Sequence, residues 1–141
     1  MSDAADALTD EERSLRSLLR FWTLLFGAGA LSFAVDPDRS TGVLNTLPGP
    51  SLPPSSEKYW NALAVSLMAT ITVLSGMAAT DVRRRRAFVW PLMLSKAVSS
   101  GMYARRFAER RATPYLVGAL VDGSILVVTA QRFLGARRRR A

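Results

Sequence analysis

The sequence predicts an all-α integral membrane protein, a bundle of four spanning helices with an interfacial helix at its N-terminus. Three observations lead to this fold class. Apolar residues are gathered into four blocks, residues 18–35, 59–80, 87–104 and 114–134, which form a single domain. The blocks are 18 to 22 residues long, and a helix needs about 20 apolar residues to cross a bilayer. Basic residues are concentrated at the block ends, as is typical of loops beside membrane spans.

The composition excludes several kinds of site. The 141 residues include neither cysteine nor histidine. Disulfides, thiolate nucleophiles, iron–sulfur clusters, Cys/His zinc sites and histidine-ligated haem are therefore excluded. We expect no metal and no cofactor, although a bound quinone or lipid is compatible with the composition. The formal charge of +8 beside apolar blocks indicates membrane topology or lipid contact rather than nucleic-acid binding.

The N-terminal segment predicts a helix start ahead of the first span. Thr9 and Glu12 have the spacing of a capping box, in which each side chain bonds the other residue's backbone. Three arginines then recur at helical spacing, opposite apolar residues: Arg13, Arg16 and Arg20. This pattern favours a short interfacial helix leading into the membrane, with an ordinary solvated helix end as the alternative.

Residues 36–58 predict an extracytoplasmic loop. This segment contains five prolines, so we expect an extended loop that is either mobile or laid over a partner. Ser55 or Ser56 can cap the second span, and Tyr59 with Trp60 supplies the aromatic residues expected at a membrane interface.

Small residues recur at helical spacing in each predicted span. Such residues let the backbone of a neighbouring helix approach closely. The candidates for helix packing are Gly27, Gly29, Ala62, Ser66, Thr70, Ala97, Gly101, Ala119 and Gly123. A polar path along Ser66, Thr70 and Ser75 is the alternative for the second span, although membrane hydroxyls can also bond their own backbone.

The third block is the least apolar of the four. It contains Lys96 and three serines, and a buried or surface helix of a soluble protein is the alternative there. Pro91 is tolerated if the helix begins near Trp90 and kinks it if the helix begins sooner.

Lys96 and Asp122 are the ionisable residues near the middles of the third and fourth blocks. If these spans end near Ala104 and begin at Pro114, the two residues lie eight positions before and eight positions after the turn. Eight residues correspond to about 12 Å of helix, close to the middle of a hydrocarbon core of about 30 Å. A lone charge there costs about 2.5–3.5 kcal/mol, so we expect the two side chains to pair.

The pair has a structural and a functional interpretation. As a buried ion pair, Lys96 and Asp122 would fix the register of the last two helices. Together with Ser99, Ser100 and Thr129 they could instead form a pocket for a quinone, a lipid headgroup or a transported solute. They could also exchange a proton. The spans contain no second acid at mid-depth, which disfavours a proton relay.

The arginine distribution predicts that both termini are cytoplasmic. Twelve basic residues lie on the side of the termini and residues 83–86, against six on the other side. The discordant segment is residues 105–113. Its arginines would contact anionic lipid or an acidic partner, or would simply extend both helices beyond the bilayer. They are Arg105, Arg106, Arg110 and Arg111.

Three classes of function fit these features. The first is a non-catalytic subunit, accessory or anchor protein of a larger bacterial membrane complex, with lipids and other subunits or further copies of itself as partners. The second is a binding or transport protein that uses the Lys96–Asp122 pocket. The third is a membrane enzyme acting on a lipid or quinone, with Asp122 as acid/base and Lys96 as its electrostatic partner.

The overall plan resembles the DoxX-like group of small bacterial membrane proteins. The shared features are four short helices, a longer first extracytoplasmic loop, and a polar pair, here Lys96 and Asp122, in the last two helices. The resemblance covers the number and length of the spans over most of the chain. It implies association with quinone-linked oxidoreductases and assigns no residue a role. The preference for arginine over lysine favours a GC-rich bacterial source, and hence the bacterial cytoplasmic membrane.

Overall fold

The computed structural model describes the backbone of residues 8–52 and 58–138, and the side chains of residues 8–52 and 61–137. The chain is helical within these ranges and contains no strand there, which confirms the all-α prediction. The helices are α1 (Asp10–Val35), α2 (Pro37–Leu44), α3 (Lys58–Thr80), α4 (Val89–Arg110) and α5 (Thr113–Arg138), with a 3-10 turn at Arg86–Phe88.

Three of the described helices are long and apolar enough to cross a membrane. They are α1, residues Asn61–Thr80 of α3 and residues Thr113–Arg137 of α5. The fourth predicted span, α4, is not among them. Its 22 residues are sufficient in length, but Lys96 lies seven residues after its start and further charges lie near its C-terminus.

Helix α1 begins at the predicted capping box. The Glu12 backbone N–H donates to Thr9 Oγ1 over 3.2 Å, and the Thr9 N–H donates to Glu12 Oε2 over 2.9 Å. The helix then continues without a break to Val35. The expected interfacial segment is therefore the first part of α1, which begins eight residues before the predicted span start at Leu18. Its place at a membrane interface stays a prediction.

The expected extended loop is partly helical. Asp36 accepts a hydrogen bond from the Arg39 N–H over 2.9 Å, and Pro37 occupies the first turn of α2. A capping carboxylate followed by proline starts a helix, so the loop prediction is wrong for residues 37–44. The predicted caps at Ser55 and Ser56 lie outside the described residues, and the side chains of Tyr59 and Trp60 do as well.

The loop folds back onto the turn between α4 and α5. Gly49 has a φ of +113°, and a Cβ built there would lie 3.0 Å from Thr113 Oγ1. Asn45 closes the same loop, because its Oδ1 accepts from the Leu52 N–H over 2.7 Å. Residues 45–52 therefore lie at the same end of the molecule as the α4–α5 turn.

Helix α4 starts two residues after the predicted Ala87 and ends later than predicted. It begins at Val89, so Pro91 falls in its first turn, where proline is tolerated. It ends at Arg110, six residues after Ala104, and so the predicted loop is helical over residues 105–110. Arg111 then adopts a left-handed φ of 54°, and its N–H donates to the Phe107 carbonyl over 2.8 Å.

The long helices pack as two close pairs. Helix α1 lies along α3, α4 lies along α5, and the two pairs meet chiefly where α1 contacts α5. The buried apolar residues that form the core are Leu15, Leu19, Phe26, Ala78, Ala79, Val82, Val89, Leu92, Met93, Ile125 and Phe133.

The predicted packing face of α3 is wrong for its first half. Ala62, Ser66 and Thr70 are exposed, and the last two donate hydrogen bonds to their own helix backbone. The buried face instead includes Ser75 and Ala79. The step of five residues from Thr70 to Ser75 rotates the face by about 140°, because a turn holds about 3.6 residues.

The other small-residue predictions divide in the same way. A Cβ at Gly27 would lie 3.4 Å from Thr72 of α3, whereas Gly29 and Gly101 have nothing within 4 Å. Ala97 is exposed as well. Close packing of Gly29, Ala97 and Gly101 against another described helix of this chain was therefore a wrong expectation.

The closest approach between α4 and α5 includes the predicted pair on α5. A Cβ at Gly123 would lie 3.2 Å from Ser100 Oγ, and Ala119 accepts a hydrogen bond from the same hydroxyl over 2.8 Å. Gly118, which was not predicted, is still tighter, since a Cβ there would lie 2.9 Å from the Tyr103 ring.

Candidate functional site

Lys96 and Asp122 form the predicted ion pair between α4 and α5. Lys96 Nζ lies 2.9 Å from Asp122 Oδ1, and the two side chains are 13% and 12% exposed. Ser99, one turn along α4, donates its hydroxyl to Asp122 Oδ2. Both carboxylate oxygens therefore have a donor from α4.

The pairing geometry differs from the predicted one because the turn is later. Lys96 lies fourteen residues before the end of α4, and Asp122 lies nine residues after the start of α5. Equal spacing from the turn was therefore wrong. The lysine side chain spans the difference, while the shorter serine side chain bonds Asp122 directly.

An aromatic wall from α1 covers the pair. Lys96 Nζ lies 4.5 Å from the centroid of the Phe26 ring, which is a favourable cation–π distance. Trp22 stacks beside Phe26 with centroids 6.0 Å apart, and its Nε1–H donates to the buried Thr129 Oγ1 over 3.1 Å. Helix α1 thus joins both helices of the pair.

Sequence reasoning missed this aromatic wall. Trp22 contributes to this wall, and its ring nitrogen donates to Thr129 of α5. The signal was available, because Leu15, Leu19, Trp22 and Phe26 follow steps of four, three and four residues, which mark one face of a helix.

Two of the predicted pocket residues have other partners. Ser100 donates to the Ala119 carbonyl, and Thr129 accepts from the Trp22 Nε1–H. The described donors to the carboxylate are Lys96 and Ser99 instead. The clefts described for this structure are lined by residues other than Lys96 and Asp122. Chemically, the arrangement neutralises one buried charge with another and holds three helices together.

Three of the four arginines in residues 105–111 contact side chains of the same segment. Arg105 Nε and Arg106 Nη1 lie 2.9 and 3.0 Å from the Glu109 oxygens. Hydrogen bonding from Arg105, supported by Arg106, lowers the pKa of the Glu109 carboxyl. Arg111 lies 5.7 Å from the Phe107 ring, and Arg110 is exposed.

A second buried ion pair was not predicted. Arg83 Nη2 lies 3.1 Å from Glu12 Oε2, with the side chains 21% and 5% exposed. The sequence assigned Glu12 to the capping box and Arg83 to topology, and nothing in the spacing connects two residues 71 positions apart. Backbone N–H groups of Arg84 and Arg83 lower the pKa of Asp81 beside this pair.

Comparisons with protein-family models, curated proteins and solved structures found no match for this chain. The resemblance to the DoxX-like group therefore stays a prediction, and the site is interpreted from its own geometry.

Proposed function

We propose that this chain is a non-catalytic integral membrane protein of the bacterial cytoplasmic membrane that serves as a subunit or accessory protein of a larger membrane assembly. It crosses the bilayer four times, with both termini in the cytoplasm. The observation that carries the proposal is the distribution of polarity, since the Lys96–Asp122 pair and the hydroxyl of Thr129 lie between helices while many large apolar side chains face outward.

The outward apolar surface is extensive. Leu24 and Val35 of α1 are 74% and 76% exposed, and Leu94 of α4 is 67% exposed. Fully burying such a side chain away from water stabilises a protein by about 1.5–3 kcal/mol. Soluble monomers rarely leave contiguous apolar patches of this kind exposed, whereas lipid tails cover them at no such cost.

The inward surface is polar where the helices meet. Asp122 and Thr129 of α5 and Ser75 of α3 are buried, and Lys96 is paired. Ionisable groups within a membrane face the protein interior and pair with one another. This arrangement supports insertion of α4 in spite of its composition, because Asp122 neutralises its central charge.

The outer face of α4 also supports a fourth span. Leu94, Val98 and Met102 recur every four residues along it and are exposed. The charges Arg105, Arg106 and Glu109 follow this stripe at the helix end, where headgroups and water can solvate them.

The orientation follows from which segments share an end. Arg83 reaches Glu12 at the start of α1, and a Cβ at Gly135 near the end of α5 would lie 3.7 Å from Glu11. The two described ends of the chain and residues 83–86 thus lie together, and these segments carry most of the arginines. The positive-inside rule places this end in the cytoplasm.

A subunit role is favoured over ligand binding because the Lys96–Asp122 pair is satisfied within the protein. Lys96 and both oxygens of Asp122 have protein partners, which leaves little capacity for a quinone or solute. Catalysis by Asp122 is disfavoured for the same reason. A quinone-linked oxidoreductase is the partner that the DoxX-like resemblance implies.

Mild solubilisation from native membranes tests the proposal. We expect a tagged chain to stay in carbonate-washed membranes and to co-purify with a stoichiometric membrane protein, which an unrelated tagged four-span protein should not retain. Release of the chain by carbonate would refute membrane insertion. Recovery of the chain alone, or with stoichiometric quinone, would refute the subunit role.

A further inference from the structure

A basic cleft lies where the start of α1, the α3–α4 connection and the end of α5 meet. It has a volume of about 160 Å³ and is lined by Glu12, Arg83, Arg86 and Arg137. Arg83 is engaged by Glu12. Arg86 and Arg137 are exposed, and neither is within ion-pair distance of an acidic side chain in the described part of the chain. Three guanidinium groups and one carboxylate leave the cleft with an excess of positive charge.

The inner wall of the basic cleft is apolar. Leu15, Val82 and Phe133 line it and are buried. Phe133 also lines a second depression, an apolar groove of about 330 Å³ between α4 and α5. Trp90 stands at the near end of this groove, edge-on to Phe133 with ring centroids 5.6 Å apart. One aromatic ring therefore borders both the basic cleft and the apolar groove.

The apolar groove runs away from the arginines. Its lining extends from Trp90 to Ala97 on α4 and from Phe133 back to Leu126 on α5. Each stretch advances seven residues along its helix, or about 10 Å. The direction is that of a lipid acyl chain whose phosphate lies level with the arginines.

We infer that the basic cleft and the apolar groove together bind one anionic phospholipid. Its phosphate lies between Arg86 and Arg137, and one acyl chain lies along the groove. The inference rests on the membrane insertion proposed above. Guanidinium groups bind phosphate oxygens through two parallel hydrogen bonds, and the cytoplasmic leaflet is where anionic headgroups attract basic segments.

Among the described residues, no cleft of this combined kind is seen at the opposite end of the molecule. Arg105 and Arg106 bond Glu109, and none of the described clefts is lined by either of them. We therefore expect the specific lipid site at the cytoplasmic end, whereas the sequence pattern predicted lipid or partner contact at residues 105–113.

Native mass spectrometry of the full chain, released from nanodiscs of mixed phosphatidylglycerol and phosphatidylcholine, tests the inference. We expect one phosphatidylglycerol to be retained in preference to phosphatidylcholine. The double variant Arg86→Gln/Arg137→Gln should weaken that retention by about thirtyfold, from the usual contribution of two arginines near an anionic surface. The control Arg39→Gln/Arg110→Gln removes the same charge from exposed positions at the other end and should leave retention unchanged.

A second pair of variants tests the acyl chain. Ala97→Phe fills the groove and should lower phosphatidylglycerol retention, while the control Ala69→Phe places the same ring on the exposed face of α3. Equal retention of the two lipids by the wild-type chain would overturn the inference. Displacement of the bound lipid by millimolar inorganic phosphate would also overturn it, since the site would then bind a free anion.

Carbonate extraction of the same variants separates this inference from the proposed function. A wild-type chain that leaves the membrane on extraction refutes the proposed function. A chain that stays in the membrane but shows no lipid preference refutes only the phospholipid site.

Discussion

Removing the carboxylate of Asp122 should destabilise the protein more than removing both charges of the central pair. Asp122→Ala deletes the partner that lies 2.9 Å from Lys96 Nζ and the acceptor for Ser99. The Lys96 side chain is 13% exposed. Of the contacts described for its ammonium group, the cation–π contact with the Phe26 ring would remain. A charge stranded near the middle of a bilayer costs about 2.5–3.5 kcal/mol.

The double variant Lys96→Met/Asp122→Leu removes both charges and keeps similar side-chain volume. Replacing a buried ion pair with apolar residues is often neutral or stabilising, so we expect a change within about 1 kcal/mol. Asp122→Leu alone should cost about 3 kcal/mol because it strands Lys96, and Lys96→Met alone should cost a similar amount because it strands Asp122. The summed cost of the two single changes should then exceed the cost of the double change by about 5 kcal/mol.

Reversible unfolding in mixed micelles, or steric trapping in bicelles, measures this cycle. Ser124→Ala, at an exposed position of the same helix, should change the free energy of unfolding by less than about 0.5 kcal/mol. Single and double changes that add within about 0.5 kcal/mol would refute the reasoning, because Lys96 would then tolerate the loss of its partner.

Three further predictions concern the helix contacts and the orientation. Gly118→Ala should destabilise the protein by about 1–3 kcal/mol, because the added methyl group meets an aromatic ring of α4. Gly101→Ala should instead stabilise it by about 0.5–1 kcal/mol, because the surroundings of Gly101 are open. Thermal unfolding in detergent compares the two variants. Glu12→Ala should cost about 2 kcal/mol, since it removes a charged hydrogen bond from Arg83, and denaturant titration measures the loss. Ser51→Cys should react with a membrane-impermeant thiol reagent only from outside the cytoplasmic membrane.

Each of these predictions has a contrary outcome. Equal effects of the two glycine changes would mean that Tyr103 does not crowd Gly118. For the Glu12 ion pair, Asp38→Ala is the control, because Asp38 is exposed, and a matching loss there would contradict a specific role for Glu12. The predicted orientation would be wrong if the Ser51→Cys variant were labelled only from the cytoplasmic side and the Arg84→Cys variant only from the outside.

Local chemistry could be predicted from the sequence where neighbouring residues decide it. The Thr9 capping box was predicted because both partners lie within four residues. Helix α2 was missed although Asp36 and Pro37 provide the same kind of signal, because the later prolines of the loop outweighed it. The end of α4 was missed because its charges suggested a loop, whereas Arg105 and Glu109 form an i,i+4 pair that supports the helix.

Long-range contacts could be predicted only where polarity demanded a partner. Lys96 and Asp122 were paired in advance because each is costly alone in an apolar segment. The Glu12–Arg83 pair was not predicted, because the capping box already accounts for Glu12 and the basic loop already accounts for Arg83. Covering of Lys96 by Phe26 depends on how α1 crosses α5, which no local pattern fixes.

The failed packing faces follow from the same physics. Under the proposed membrane insertion, burial of one helix against another brings little hydrophobic gain, because lipid tails are as apolar as leucine. Alanine and glycine are then equally stable on either face, and so Ala62 and Gly101 could face outward although their spacing favoured packing. A carboxylate does distinguish the faces, because it cannot bond its own helix backbone in the way that the exposed hydroxyls of Ser66 and Thr70 do. The buried Asp122, whose donors lie on α4, therefore indicates the helix interface more reliably than the small-residue spacing does.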